Sequence, residues 1–190
     1  MVNGMNPPPR FVTPDDVTFI RTETPYRQIY DVREYSFCDI RPGDRVIDIG
    51  ANVGAFCIRA ARMSCHVTAV EPVTTDLLEE NIRANNALVR VIRAGLGNGK
   101  PCACSWDGRT VTVPTYTLAA IIDMAGGCDF LKCDCEGAEW LIRPEELGGI
   151  RRIEMELHIP PIGGRPDTAL LDYIGRHYDF SIVRTPCHDV

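Results

Sequence analysis

Ionisable side chains gather in the stretch "FLKCDCEGAEWL" (130–141), which carries Lys132, Asp134, Glu136 and Glu139, with Cys133 and Cys135 between them. A second set follows in "RRIEMELHI" (151–159), where Glu154, Glu156 and His158 alternate with apolar residues. Carboxylates beside an imidazole are suited to proton transfer, and histidine has the free pKa best suited to a base near neutral pH. Asp134 or Glu136 can serve where burial raises its pKa, or can face a cationic group of a ligand. Lys132 can hold such carboxylates ionised or orient a substrate oxygen. A plainer reading is a half-exposed strand plus a buried ion pair between Lys132 and an acid. Three carboxylates and an imidazole would also suit a hard divalent cation. Their spacing closes no metal site, however, and none is expected. The close cysteine pairs, "CAC" (102–104) and "CDC" (133–135), lack the C-x2-C spacing of zinc ribbons.

A third group lies upstream, in "DIGANVG" (48–54). Gly50 permits a sharp turn, and Gly54 lets a following helix approach closely. Asp48 sets a carboxylate beside that turn. Glu71, at the end of "HVTAVEP" (66–72), is placed to accept hydrogen bonds from ribose hydroxyls. A nucleoside-containing cofactor follows from that pairing. The loop Gly50-Ala51-Asn52-Val53-Gly54 lacks the G-x-G-x-x-G spacing that seats a pyrophosphate. An acid just upstream is a poor neighbour for phosphate and a good one for a cation. S-adenosylmethionine fits, since it has a sulfonium, an ammonium and a ribose but no phosphate.

Alternating elements must position these groups. "RVIDIG" (45–50), "HVTAVEP" (66–72), "VRVIRAG" (89–95), "CDFLKCD" (128–134), "RRIEMELHI" (151–159) and "YDFSIVR" (178–184) read as six strands. Helices are expected from Val53 to Met63, over 75–87, from an N-cap at Thr117 to Gly126, and after Asp167. A Gly-rich polar loop joins the third strand to the third helix. Strand and helix in alternation imply βαβ units, hence an α/β fold: a Rossmann-like, doubly wound and mostly parallel sheet with helices on both faces. Period-2 alternation puts Lys132 and Asp134 on one face of the fourth strand, and Cys133 and Cys135 on the other. One domain is expected over 1–190, with a loose stretch at 1–10, an arm at 11–43 that covers the cleft, and a core over 44–184.

Hydrophobic content of 45% and charged content of 24% are those of an ordinary globular protein. The net charge of −6 disfavours a nucleic-acid partner and leaves a small-molecule substrate. No apolar run reaches the ~20 residues of a membrane span. "MVNGMNPPPRF" has no apolar signal core, so a cytoplasmic protein is expected. The nine cysteines sit largely in apolar runs, as reduced intracellular thiols do.

Taken together, "VIDIGANVGAF", "AVEP", "TVPTYTLAAII", "DFLKCDCEGAEWLI" and "EMELH" resemble the FkbM-like methyltransferases, a branch of the class I S-adenosylmethionine-dependent fold. The resemblance covers about residues 44–160. It implies methyl transfer, usually to oxygen, with the cofactor at Asp48, Gly50, Asn52, Gly54 and Glu71. Asp134, Glu136, Glu156, His158 and Lys132 then surround the transferred methyl, with Asp134 also facing the sulfonium. That fold closes with a hairpin, yet only "TPCHDV" follows the sixth strand. The seventh strand is therefore expected to be missing, very short or drawn from elsewhere. The expected acceptor is a hydroxyl of a small metabolite or of a glycan or lipid headgroup. The alternatives are N-methylation of an amine or base, and a NAD-type or non-catalytic nucleotide-binding module.

Overall fold

Val46, Ile47 and Ile49 are all buried within one short run, the pattern of a strand held between two layers. The computed structural model describes residues 8–21, 35–63, 65–106, 108–159, 166 and 168–183. Its first strands are β1 (Arg10–Val12), β2 (Thr18–Ile20), β3 (Arg45–Ile49), β4 (His66–Val70) and β5 (Val89–Ile92). They are followed by β6 (Gly95–Leu96), β7 (Cys102–Trp106), β8 (Arg109–Val113), β9 (Thr115–Tyr116), β10 (Phe130–Cys133) and β11 (Arg152–Met155). The α-helices are α1 (Cys57–Ala61), α2 (Thr75–Ala84), α3 (Leu118–Ala125) and α4 (Thr168–His177).

Five strands form a parallel sheet in the order β11-β10-β3-β4-β5. Counted along the chain among themselves, these run 5-4-1-2-3, so the direction of winding reverses at β3. Doubly wound sheets take ligands at that switch, beyond the carboxyl ends of the strands. Here those ends belong to β3, β4 and β10. On one face Val46, Val67, Ala69 and Phe130 pack with Phe56 and with Leu78 of α2. On the other, Ile47, Ile49, Leu131 and Cys133 pack with Leu118 and Ile121 of α3 and Leu170 of α4. Alternate residues of β10 thus serve opposite layers, which carries Lys132 and Asp134 to the Phe130 side.

The chain's own signals set the bounds of α3. Thr117 Oγ1 accepts the Ala120 N–H at 3.3 Å, and Gly126 stops the helix at φ +80°. α1 is shorter than the spacing from Val53 to Met63 implies. Left-handed residues Asn52 (φ +48°) and Gly54 (φ +94°) keep the preceding chain turning. The polar loop expected after β5 contains the antiparallel β7–β8 pair, with Trp106 opposite Arg109. Two 3-10 turns, Ala138–Leu141 and Pro144–Leu147, connect β10 to β11.

The expected sixth strand does not form: residues 178–183 are irregular, with Phe180 60%, Ile182 83% and Val183 84% exposed. Those apolar residues find no neighbouring strand among the described residues, so the sheet ends at β11. At the other end of the chain, β1 and β2 form an antiparallel hairpin docked on α2, where Asn81 Oδ1 takes the Ile20 N–H at 2.8 Å. Of the stretch read as loose, 1–10, Arg10 begins β1, and 1–7 lies outside the described residues. So does 22–34, the middle of the arm expected over 11–43.

Candidate active site

The turn after β3 is built on backbone that only glycine tolerates. Gly50 has φ +75°, and a Cβ there would lie 1.6 Å from the Asp134 carbonyl oxygen. The missing side chain therefore lets the β3 turn press against the end of β10. Gly50 and Ala51 donate to Val70 O (3.0 and 3.2 Å), and Gly54 donates to Ala51 O (2.9 Å). Asn52 N–H donates to Glu71 Oε2 at 2.9 Å. The amides at these four positions are spent within the protein, so they make no cradle for a pyrophosphate. Glu71, at the end of β4, also takes the Val73 and Thr74 N–H groups on Oε1 at 2.7 and 2.9 Å. A carboxylate has about four acceptor positions, and three donors leave room for one more.

Behind the turn, Lys132 and Asp48 face each other across β10 and β3 in register. Lys132 Nζ lies 3.1 Å from Asp48 Oδ1 and 2.9 Å from Gly50 O, to which it donates. Both residues are buried. Burial pushes the Asp48 carboxyl up and Lys132 opposes it. Burial pulls Lys132 down, but the carboxylates of Asp48 and Asp134 outweigh it, and the ammonium stays charged. The ion pair lacks hydrogen-bond geometry on the Asp48 side, and neither Asp48 oxygen has a hydrogen-bond donor among the described residues. Asp48 thus lies beneath the loop of residues 50–54. Lys132 likewise contacts Asp134 from behind (3.7 Å) and is too enclosed to reach a substrate oxygen. Tyr35 Oη donates to Asp134 Oδ2 at 3.0 Å, which adds a residue that sequence reasoning placed only in the arm.

His158 follows β11, with its ring among carboxylates from three segments. Nδ1 lies 3.2 Å from Glu139 Oε1. Nε2 lies 3.5 Å from Glu136 Oε2 and 3.9 Å from both Asp134 Oδ1 and Glu156 Oε1. The hydrogen bond with Glu139 leads a set of acidic neighbours that push His158 up to about 9 against the opposing effect of burial. At neutral pH the ring therefore carries its proton, and a base needs it off. Burial pushes Glu136 up, with Asp134 and Glu156 adding to it and His158 opposing, so Glu136 has the better-placed carboxylate for that task. Glu154 stands apart, bound by Ser36 N–H (2.9 Å) and Arg152 (2.9 Å). Glu139 is fully buried against His158. Its signal in the sequence was an acid two residues after a glycine turn, which is too common to single out.

Asp134, Glu156 and His158 can each bring one ligand atom within 4.8 Å of the other two. A divalent ion would have to draw them closer, since ligands at about 2.1 Å in an octahedron lie about 3 Å apart. A protonated imidazole also opposes coordination, which needs the neutral ring. Cys133 and Cys135 lie with sulfurs 3.7 Å apart, and burial pushes the Cys135 thiol well up, so it is not a nucleophile at neutral pH.

No protein-family model matches the chain, and no curated protein matches it. Among solved structures, a Pyrococcus horikoshii protein assigned as a transferase superposes with a TM-score of 0.42 at 16% identity, over 70% of this chain and 44% of that one. The Pyrococcus abyssi tRNA (uracil-54, C5)-methyltransferase, in complex with S-adenosyl-L-homocysteine, gives 0.44 at 14% identity, over 90% of this chain and 32% of that one. The chain spans less than half the length of either. Likenesses this loose transfer no function. The strand order and the site stand on the chain's own residues.

Proposed function

We propose that the chain is an S-adenosylmethionine-dependent methyltransferase of the FkbM-like kind, which transfers a methyl group to the hydroxyl of a small metabolite or of a glycan or lipid headgroup. The observation that carries this reading is the β3–β4 cleft. Its loop amides at Gly50, Ala51, Asn52 and Gly54 are already bonded internally, while Glu71 keeps an acceptor position at the strand end. That donor set suits a nucleoside without a pyrophosphate, and the carboxylates of Asp134, Glu136 and Glu156 nearby suit a cationic one. The bound cofactor would supply an electrophilic methyl on its sulfonium.

The chain's own groups then do the following. Glu71 holds the ribose, with Gly50, Asn52 and Gly54 shaping the loop above it. Asp134, fixed by Tyr35 and Lys132, faces the positive charge. Glu136 takes the acceptor's proton, and the His158 imidazolium donates from Nε2 to the acceptor oxygen and aligns it for in-line displacement. Asp48 acts from beneath by keeping Lys132 charged.

The test is incubation with isotopically labelled S-adenosylmethionine and fractionated metabolites, followed by identification of the labelled product. An O-methyl product is expected. An N-methyl product would replace the acceptor class, and no labelled product in any fraction would contradict the reading.

A further inference from the structure

Glu139 is a carboxylate with no exposed surface, and its bonds explain how the site is assembled. Its oxygens accept the Cys135 N–H and the Gly137 N–H, the latter at 2.8 Å. These two amides belong to a turn in which Glu136 (φ +57°) and Gly137 (φ +98°) both adopt left-handed backbone. A non-glycine residue pays in strain for that conformation, and the bonds to Glu139 offset it. The same carboxylate meets His158 Nδ1 at 3.2 Å. The next residue along, Trp140, donates its indole N–H to His158 O at 2.7 Å. One 3-10 turn thus grips both the ring and the backbone of His158.

We propose that Glu139 is a positioning residue that keeps the His158 proton on Nδ1 and turns Nε2 toward Asp134, Glu136 and Glu156 in the cleft. A buried carboxylate needs a compensating donor set, and the imidazole supplies the charged member of it. A histidine tautomer follows the partner of its bonded nitrogen. Free imidazole carries no such bias toward Nδ1, so the tautomer is a signature of this contact. The titratable groups facing the ring are Glu139 from the 3-10 turn, Asp134 and Glu136 from the end of β10, and Glu156 from the end of β11. Lys132 lies one layer further back, against Asp134.

The inference rests on the methyltransferase reading only for its activity arm. The direct test is nitrogen NMR of the histidine side chains across pH, with His158 assigned by His158→Gln. In the unaltered protein the ring is expected to lose its Nε2 proton near pH 9 and to remain as the Nδ1–H form. In Glu139→Gln the apparent pKa is expected to fall by about 1–3 units, the effect of losing one facing charge. Glu139→Asp keeps the charge but shortens the reach, and should fall between the two; it also serves if the glutamine variant does not fold. In turnover, kcat of the variants should drop and its alkaline limb should move with the NMR titration, while the dissociation constant for S-adenosylhomocysteine holds. A purely structural role for Glu139 would leave limb and titration unlinked. An Nε2–H tautomer in the unaltered protein, or an unmoved titration in both variants, would overturn the proposal. No turnover in the unaltered protein, with the expected NMR behaviour, would instead count against the methyltransferase reading alone.

Discussion

At the scale of single residues, the proton on His158 decides how the site works. The folded pKa of about 9 lies above the ordinary 6.5. Its pairing with the surrounding acids therefore stabilises the fold fully below about pH 6.5, and that contribution is lost as pH rises through about 9. Glu139 runs the other way. Burial works against its carboxylate, but the bonds from His158 and Cys135 win and hold it below the usual range, so its contribution is lost on acidification. The stability difference between the protein and His158→Gln should thus shrink from pH 6.5 to about 9 in urea titrations; a constant difference would contradict the pairing. Turnover should follow a bell. It rises as Glu136, held above the usual carboxylate range by burial, gives up its proton, and falls as His158 deprotonates. A profile that instead rises through about pH 9 and levels off would restore His158 as the base. Asp134→Asn and His158→Ala should each lower kcat on the order of 10²-fold or more, with affinity for S-adenosylhomocysteine, which lacks the sulfonium, largely kept. Normal turnover in both would remove the site.

At the scale of elements, the β3 turn carries the most specific expectations. Gly50→Ala forces a Cβ to within 1.6 Å of Asp134 O on left-handed backbone. It should cost about 2–6 kcal/mol, combining strain with overpacking. Denaturation that finds less than about 1 kcal/mol would mean the strand ends do not meet as described. Glu71→Gln keeps the shape and weakens a charge-assisted bond, so cofactor affinity should drop by roughly 10–100-fold, equivalent to about 1.5–3 kcal/mol. These elements were the legible ones. Buried apolar runs ending in Gly50 and Pro72, and a Thr117-to-Gly126 helix, carry their bounds in residue type. The β7–β8 hairpin was hidden, although Asp107-Gly108 is a favoured hairpin pair between alternating residues. The residues of both strands are mostly exposed, so no buried face marks their period. "YDFSIVR" misled in the opposite sense: strand-like residues form a strand only where an edge pairs with them. Within the site, the sequence placed Asp134 and His158 near each other through strand order. What residue type does not encode is side-chain partnership. Glu139 on the ring of His158, and Asp48 hidden under Lys132, needed three dimensions to see.

At the scale of the whole molecule, charge and topology point to the same kind of ligand. The net charge of −6 and the carboxylates around His158 repel a polyanion. Basic groups that might have offset this are engaged: Arg93 with Asp76 and Glu79, Arg151 with Asp44, and Arg152 with Glu154. No described helix is long and apolar enough to cross a membrane. The 5-4-1-2-3 order puts the β3 and β4 ends at the switch, where doubly wound sheets take their ligands. Which nucleoside it binds is the central claim, and isothermal titration calorimetry, backed by thermal shift, tests it most directly. S-adenosylhomocysteine should bind and raise the melting temperature, and NAD should do neither. Binding of NAD alone, or of neither ligand, would contradict the assignment of the cleft.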